Sequence, residues 1–423
     1  MIKVKFTEIL HAVTLRQSAI SVIATIINGI LGVIFYVVMA RSLGVENFGI
    51  FWVAVLTSQM LSDIANVGTD TGIVRFVGQY ARSDIKKALQ FLKLGLKVKL
   101  IASVIIISVG FLVSEFVAIN ILQKPQILEP LRISIAGAGA LLLFSFSVSA
   151  LQALQKFFVW GVVNITLNFT RLVLIGVFAI FGAVSLKSSL VAFMTLPLFG
   201  FLFALIFLPR FWMAKKEGSV KGEFFEYNKW VALVIVIAAV SSRLDTYITT
   251  RLLDLKQVGV YSVAVGLSAI GTQIVAAVAT VGAPKMTQFR SQVEFIAYFK
   301  KFQIFVTVLA FAGIGLGIFT AIVGIPLFYG FEYKQAIIPF IILVLAQAVF
   351  LISVPTHISV FYYYSYPQLF VWINVIHLII IGVIGWWLIS VMGILGAAIT
   401  VLIGNFSNLI IPAYWVYKRK KEK

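Results

Sequence analysis

The sequence predicts an all-α integral membrane protein, with twelve transmembrane helices arranged as two parallel six-helix repeats. Three observations carry that prediction. Of 423 residues, 61% are hydrophobic and 12% charged, whereas soluble domains average about half and about a quarter, so an ordinary water-facing surface cannot be built from this chain. Windows of about 20 apolar residues, long enough to cross hydrocarbon, recur twelve times. The chain also resembles itself at an offset of 210 positions.

In chain order the windows run over 17–40, 48–67, 100–121, 133–153, 158–181, 189–209, 230–250, 258–281, 303–328, 336–357, 368–389 and 394–416. The first outruns a signal-peptide core and no A-x-A-like site follows it, which marks a retained span. Pro197, Pro326, Pro339 and Pro355 fall in or beside spans and are expected to kink helices. Gly313, Gly315 and Gly317 follow no strand, so they read as helix packing rather than a nucleotide loop.

Charge sets the topology. Lys and Arg number 34 against 15 Asp and Glu. With the N-terminus inside, the inner segments hold Lys3, Lys5 and Arg16; Arg75, Arg82, Lys86, Lys87, Lys93, Lys97 and Lys99; Lys156; Arg210, Lys215, Lys216, Lys221 and Lys229; Lys285, Arg290, Lys300 and Lys301; and the tail Lys418 to Lys423. Outside lie Arg41, Lys124, Arg132, Lys187, Arg251, Lys256 and Lys334. The asymmetry predicts a multi-pass protein of the cytoplasmic (inner) membrane with both termini in the cytoplasm. It also explains the basic charge without nucleic acid.

The repeat lays Arg41–Val55 on Arg251–Val265, with six of fifteen positions identical, among them Gly49 with Gly259. An even number of spans per half starts both halves on the same side, so the repeat is parallel, with a substrate path expected between the lobes. The lobes are expected at 1–218 and 219–423, joined by the basic segment Arg210–Lys229.

Polar residues inside spans are the candidate site, because an ionisable group there costs about 2.5–3.5 kcal/mol on insertion scales. Span 1 carries Ser18, Ser21, Thr25, Asn28 and Gly32 on one stripe. Span 2 and its extension place Gln59, Asp63, Asn66 and Asp70 at helical spacing, with Arg75 beyond. In span 5, Gly161, Asn164, Asn168 and Arg171 share a face, and span 7 holds Arg243 and Asp245. Asn164 and Asn168 serve either as interhelical glue or as cavity lining. Arg171 and Arg243 either line a cavity or balance buried carboxylates, and Asp63, Asp70 and Asp245 are the candidates for proton or sodium coupling.

The chemistry excluded is as informative. The chain has no Cys and three His, so thiolate chemistry is absent and metal-ligand spacing is missing at His357 and His377. There is no HExxH, GxSxG or Walker sequence. No enzymatic activity, metal or bound cofactor is expected.

Several segments resemble a known family. Ala40-Arg41-Ser-Leu-Gly44 through Phe48-Gly49, Gly68-Thr-Asp70-Thr-Gly72-Ile-Val-Arg75, Arg243-Leu-Asp245 leading to Val258-Gly259-Val-Tyr261-Ser-Val-Ala264, and Phe328-Tyr-Gly330 through Ala336 are similar to the polysaccharide and O-antigen flippases of the multidrug, oligosaccharidyl-lipid and polysaccharide exporter superfamily. The resemblance implies two lobes in a V around a central cavity, alternating access, and outward movement of lipid-linked oligosaccharide for surface polysaccharide synthesis. By the same resemblance the cavity is basic: Arg171 and Arg243 fit from within spans, and Arg41, Arg75 and Arg251 from the motif segments. A polysaccharide polymerase or glycosyltransferase is the partner it implies. The lipid II flippase branch resembles this pattern with a basic first span, which this chain lacks. A cation-coupled multidrug exporter of the same superfamily and a polysaccharide-assembly enzyme are the alternatives.

Overall fold

The computed structural model describes residues 13–214, 218–286, 289, 291–366 and 368–421. Lys3, Lys5, Lys215, Lys216, Arg290 and Lys423, on which the topology reading draws, lie outside the described residues. No strand occurs among those described.

Eleven helices among the described residues are long and apolar enough to cross a membrane. The first apolar stretch, Ile20–Asn66, has 47 residues, about twice what one crossing needs. Its helix, α1 (Val13–Asn66), breaks at Gly44, whose φ of 73° and ψ of 169° are open to glycine alone without strain. One stretch long enough for a crossing lies on each side of the break, so the eleven helices accommodate the twelve apolar windows.

Two compact units emerge from the packing. The first comprises residues up to Leu43 and Ala54–Ala239; the second comprises Gly44–Val53 and Val240 onward. In the first unit α2 (Thr69–Tyr80), α3 (Ile85–Phe116), α4 (Leu128–Ala153), α5 (Phe157–Ile180) and α6 (Leu186–Leu205) follow α1, and α4 packs on both α3 and α6. Close approach depends on small residues: a Cβ on Gly137 would strike Met194 of α6, and one on Gly95 would strike Ile73 of α2.

The division falls at 239/240 rather than at 218/219. Helix α7 (Gly218–Ser241) gives Val220 and Phe224 to the first unit's core beside Phe76 and Phe91. Its Asn228 meets Gly72 where no larger residue fits. The basic segment is therefore followed by a helix that belongs, for most of its length, with what precedes it.

In the second unit α8 (Leu244–Leu252), α9 (Leu255–Met286), α10 (Gln292–Phe319), α11 (Ile337–Ile358), α12 (Gln368–Ile379), α13 (Gly385–Met392) and α14 (Ile394–Lys421) follow, with α11 packed on α9, α10 and α14. Gly49 and Gly259, equivalent in the repeat, lie against one another here: a Cβ on Gly49 would fall 2.5 Å from Leu255 O and 2.7 Å from Gly259 N. Pro197, Pro326 and Pro355 sit inside helical segments, whereas Pro339 occupies the first turn of α11. Within the first turn of an α-helix a proline removes no i→i−4 donor. Of the glycine series on α10, Gly317 packs against Val344 while Gly313 and Gly315 face open space.

Candidate functional site

Three of the polar residues singled out from sequence form one hydrogen-bonded string in the first unit. Gly161 of α5 faces Ala24 of α1, and any Cβ there would lie 2.9 Å from the alanine's, so the two helices approach closely. That approach lets Asn168 donate through Nδ2 to Asn28 Oδ1 at 2.9 Å. Arg171 in turn donates through Nη1 to Asn168 Oδ1 at 3.0 Å. The guanidinium carbon stands 4.0 Å from the ring centroid of Phe193 on α6, and Phe193 leans on Phe35 of α1 at 5.5 Å. Tyr36 lies within electrostatic range of the same guanidinium.

Arg171 is half-buried, its Nε is buried without a hydrogen-bond partner, and among the described residues no carboxylate pairs with it. Asn168 holds one edge and the ring of Phe193 holds one side. The remaining N–H groups form a fixed fork, a geometry suited to carboxylate or phosphate oxygens. Asn164 does not join the string, because its Nδ2 turns back to Trp160 O at 2.8 Å.

The acidic candidates are engaged elsewhere. Asp70 pairs with Lys99 at 2.6 Å, and Asp63 lies within electrostatic range of that ammonium. Asp245, 6% exposed, accepts from the Tyr261 hydroxyl at 2.6 Å. Arg75 is exposed and stacks over Tyr227 at 4.3 Å, in a cavity of about 640 Å³ shared with Gln79, Glu223, Glu226 and Lys229. Arg41 is exposed shortly before the Gly44 break, Arg243 occupies the N-cap position of α8 without a side-chain capping bond, and Arg251 is in that helix's last turn. His357 meets Asn408 O at 2.7 Å and His377 meets Ser241 Oγ at 2.8 Å.

Lys99 is where sequence reasoning went wrong. It reads as one more cytoplasmic anchor after Lys93 and Lys97, yet its side chain is 0% exposed and reaches both Asp70 and Ser145. The signal was present in the helix's small residues: Gly95, Lys99 and Ser103, four apart, are all buried, so the lysine lies on the packing face.

A family model described as polysaccharide biosynthesis protein matches residues 14–290, more than half of the chain. The chain belongs to the polysaccharide biosynthesis protein family. No curated protein matches this family member by sequence. Solved structures do match it. The lipid II flippase MurJ in an inward closed conformation aligns with a TM-score of 0.76 at 15% identity, over 94% of this chain and 87% of that one. An inward-facing multidrug-resistance MATE transporter of the MOP superfamily gives 0.73 at 15%, over 94% and 98%. A MOP superfamily transporter from Pyrococcus furiosus gives 0.67 at 15%, over 96% and 94%. At such identities the likeness is one of fold: this polysaccharide biosynthesis family member has the MOP-superfamily transporter fold.

Proposed function

We propose that the protein moves isoprenoid (pyro)phosphate-linked oligosaccharide units from the cytoplasmic to the outer leaflet by alternating access, for cell-surface polysaccharide synthesis. The observation that carries this reading is Arg171, a membrane-embedded guanidinium held by Asn168 and Phe193 with its Nε buried and unmatched. A phosphate-bearing headgroup carries charge that hydrocarbon does not accept bare, and such a fork meets two of its oxygens at once. The lipid tail stays in the bilayer while the headgroup passes. That a lipid II flippase shares the fold supports a lipid-borne cargo.

An inside-negative potential favours outward movement of an anion by about 2.3 kcal/mol per charge per 100 mV, so the membrane voltage is a sufficient drive. Coupling to protons or sodium is an addition to be read from the transport assay. In this scheme both termini face the cytoplasm of the cell membrane, glycosyltransferases supply the substrate inside, and a polymerase consumes it outside.

The test is headgroup translocation in proteoliposomes, comparing a lipid-linked oligosaccharide with a cationic dye under imposed potential and imposed proton or sodium gradients. Voltage-dependent movement of the lipid-linked sugar alone is the expected result. Dye efflux alone would replace this reading with cation-coupled drug export, and conversion of the sugar to a longer product would replace it with an assembly enzyme.

A further inference from the structure

Between the end of α1 at Asn66 and the start of α2 at Thr69 the chain turns through Val67 and Gly68, with φ of 46° and 76°. Glycine adopts such values freely, but a β-branched valine does not, and conformations of this kind persist where the surroundings impose them. The last turn of α1 leaves carbonyl groups without intrahelical donors and brings the negative end of the helix dipole to the break. Discontinuous membrane helices use such ends to hold cations.

Beside the break, oxygen-bearing side chains gather at Asp70 and Lys99. Asp70 stands in the first turn of α2, its backbone N–H donating to Asn66 Oδ1 at 3.1 Å. Ser145 of α4 donates its hydroxyl proton to Leu142 O at 2.9 Å, which turns the oxygen's lone pairs outward. Into this group comes Lys99 from α3, its Nζ 2.6 Å from Asp70 Oδ1 and 2.5 Å from Ser145 Oγ, with no exposed side-chain surface. Asp63 lies within electrostatic range of the same nitrogen. Carboxylate, hydroxyl and helix-end carbonyl are the ligand types of a hard cation. Between the carboxylate of Asp70 and the hydroxyl of Ser145 stands an ammonium on a four-carbon stem.

We propose that Lys99 is a tethered cation standing in an alkali-metal site at the α1–α2 break. The break is held by a charge that cannot dissociate, so the first unit needs no soluble ion here, and any ion gradient that assists transport acts elsewhere. Truncating the lysine leaves the oxygens in place and opens the site to sodium. This goes beyond the proposed transport function and does not rest on it.

The test uses full-length protein and reads thermal unfolding, not transport. Wild type, Lys99→Ala and Lys99→Ala/Asp70→Ala are compared in choline chloride and sodium chloride at equal ionic strength. Lys99→Ala is expected to unfold below wild type in choline and to recover by about 5 °C or more in sodium, along a saturating curve. The wild type and the double variant are expected to show no such shift. A sodium shift in Lys99→Ala no larger than the wild type's, a shift that survives in the double variant, or a Lys99→Ala protein that does not fold even when prepared throughout in sodium would each overturn the proposal.

Discussion

Arg171 and Lys99 are both cations on long apolar helices, and the difference between them is in their partners. Arg171 has one asparagine and a ring; Lys99 has a carboxylate. Removing a hydrogen bond to a charged group costs about 1.5–3 kcal/mol, so Arg171→Ala is expected to slow lipid-linked sugar translocation by about tenfold or more. Arg171→Lys, which keeps the charge but not the fork, should fall between; initial rates in proteoliposomes at matched protein insertion decide. At the other buried acid, Tyr261→Phe strips Asp245 of its hydroxyl donor. A loss of about 1–3 kcal/mol is expected, visible as a lower thermal midpoint, and adding Asp245→Asn should recover part of it, because a neutral amide is cheaper to bury. That Asn168 and Arg171 share a face was legible in sequence, because a spacing of three marks one. Their partners Asn28, Phe193 and Tyr36 were not, since they come from other helices. Asn164 shares the face and still turns back on its own backbone, a choice that spacing cannot convey.

At the scale of elements, what sequence conveys best is length and polarity, and the spans follow from these. Breaks are harder to read. Gly44 and Val67–Gly68 interrupt otherwise helical runs through positive φ values, and a glycine in an apolar stretch is as easily a packing contact as a hinge. The consequences differ and can be measured. Gly44→Ala forces a side chain into a backbone conformation nearly confined to glycine, at about 1–3 kcal/mol, while meeting no neighbouring atom within 4 Å. Its expected effect is a lowered midpoint with no change in core packing, read by thermal unfolding alongside near-ultraviolet dichroism. The division at 239/240 was likewise hidden: composition marks the basic segment as a linker, but the rings of Phe224 and Tyr227 on α7 engage Phe76 of the first unit, and contacts between distant segments leave no local trace.

For the whole molecule, twofold repetition was visible as six identities in fifteen positions, and the structure supplies the reason for one of them. Gly49 and Gly259 are each other's neighbours, backbone against backbone. A methyl group on either must push the segments apart, at about 1–3 kcal/mol for overpacking of this kind. Once they are apart, the second methyl finds room already made. Gly49→Ala and Gly259→Ala are therefore expected to destabilise by similar amounts, and the double variant by clearly less than their sum, as contacting sites do; three thermal midpoints settle it. Duplication ordinarily releases two copies of a gene segment to drift independently, each covering for the other's losses. Here the two copies press on one another, Gly49 against Leu255 and Gly259 and Gly259 against Val45, so a change in one alters what the other can tolerate.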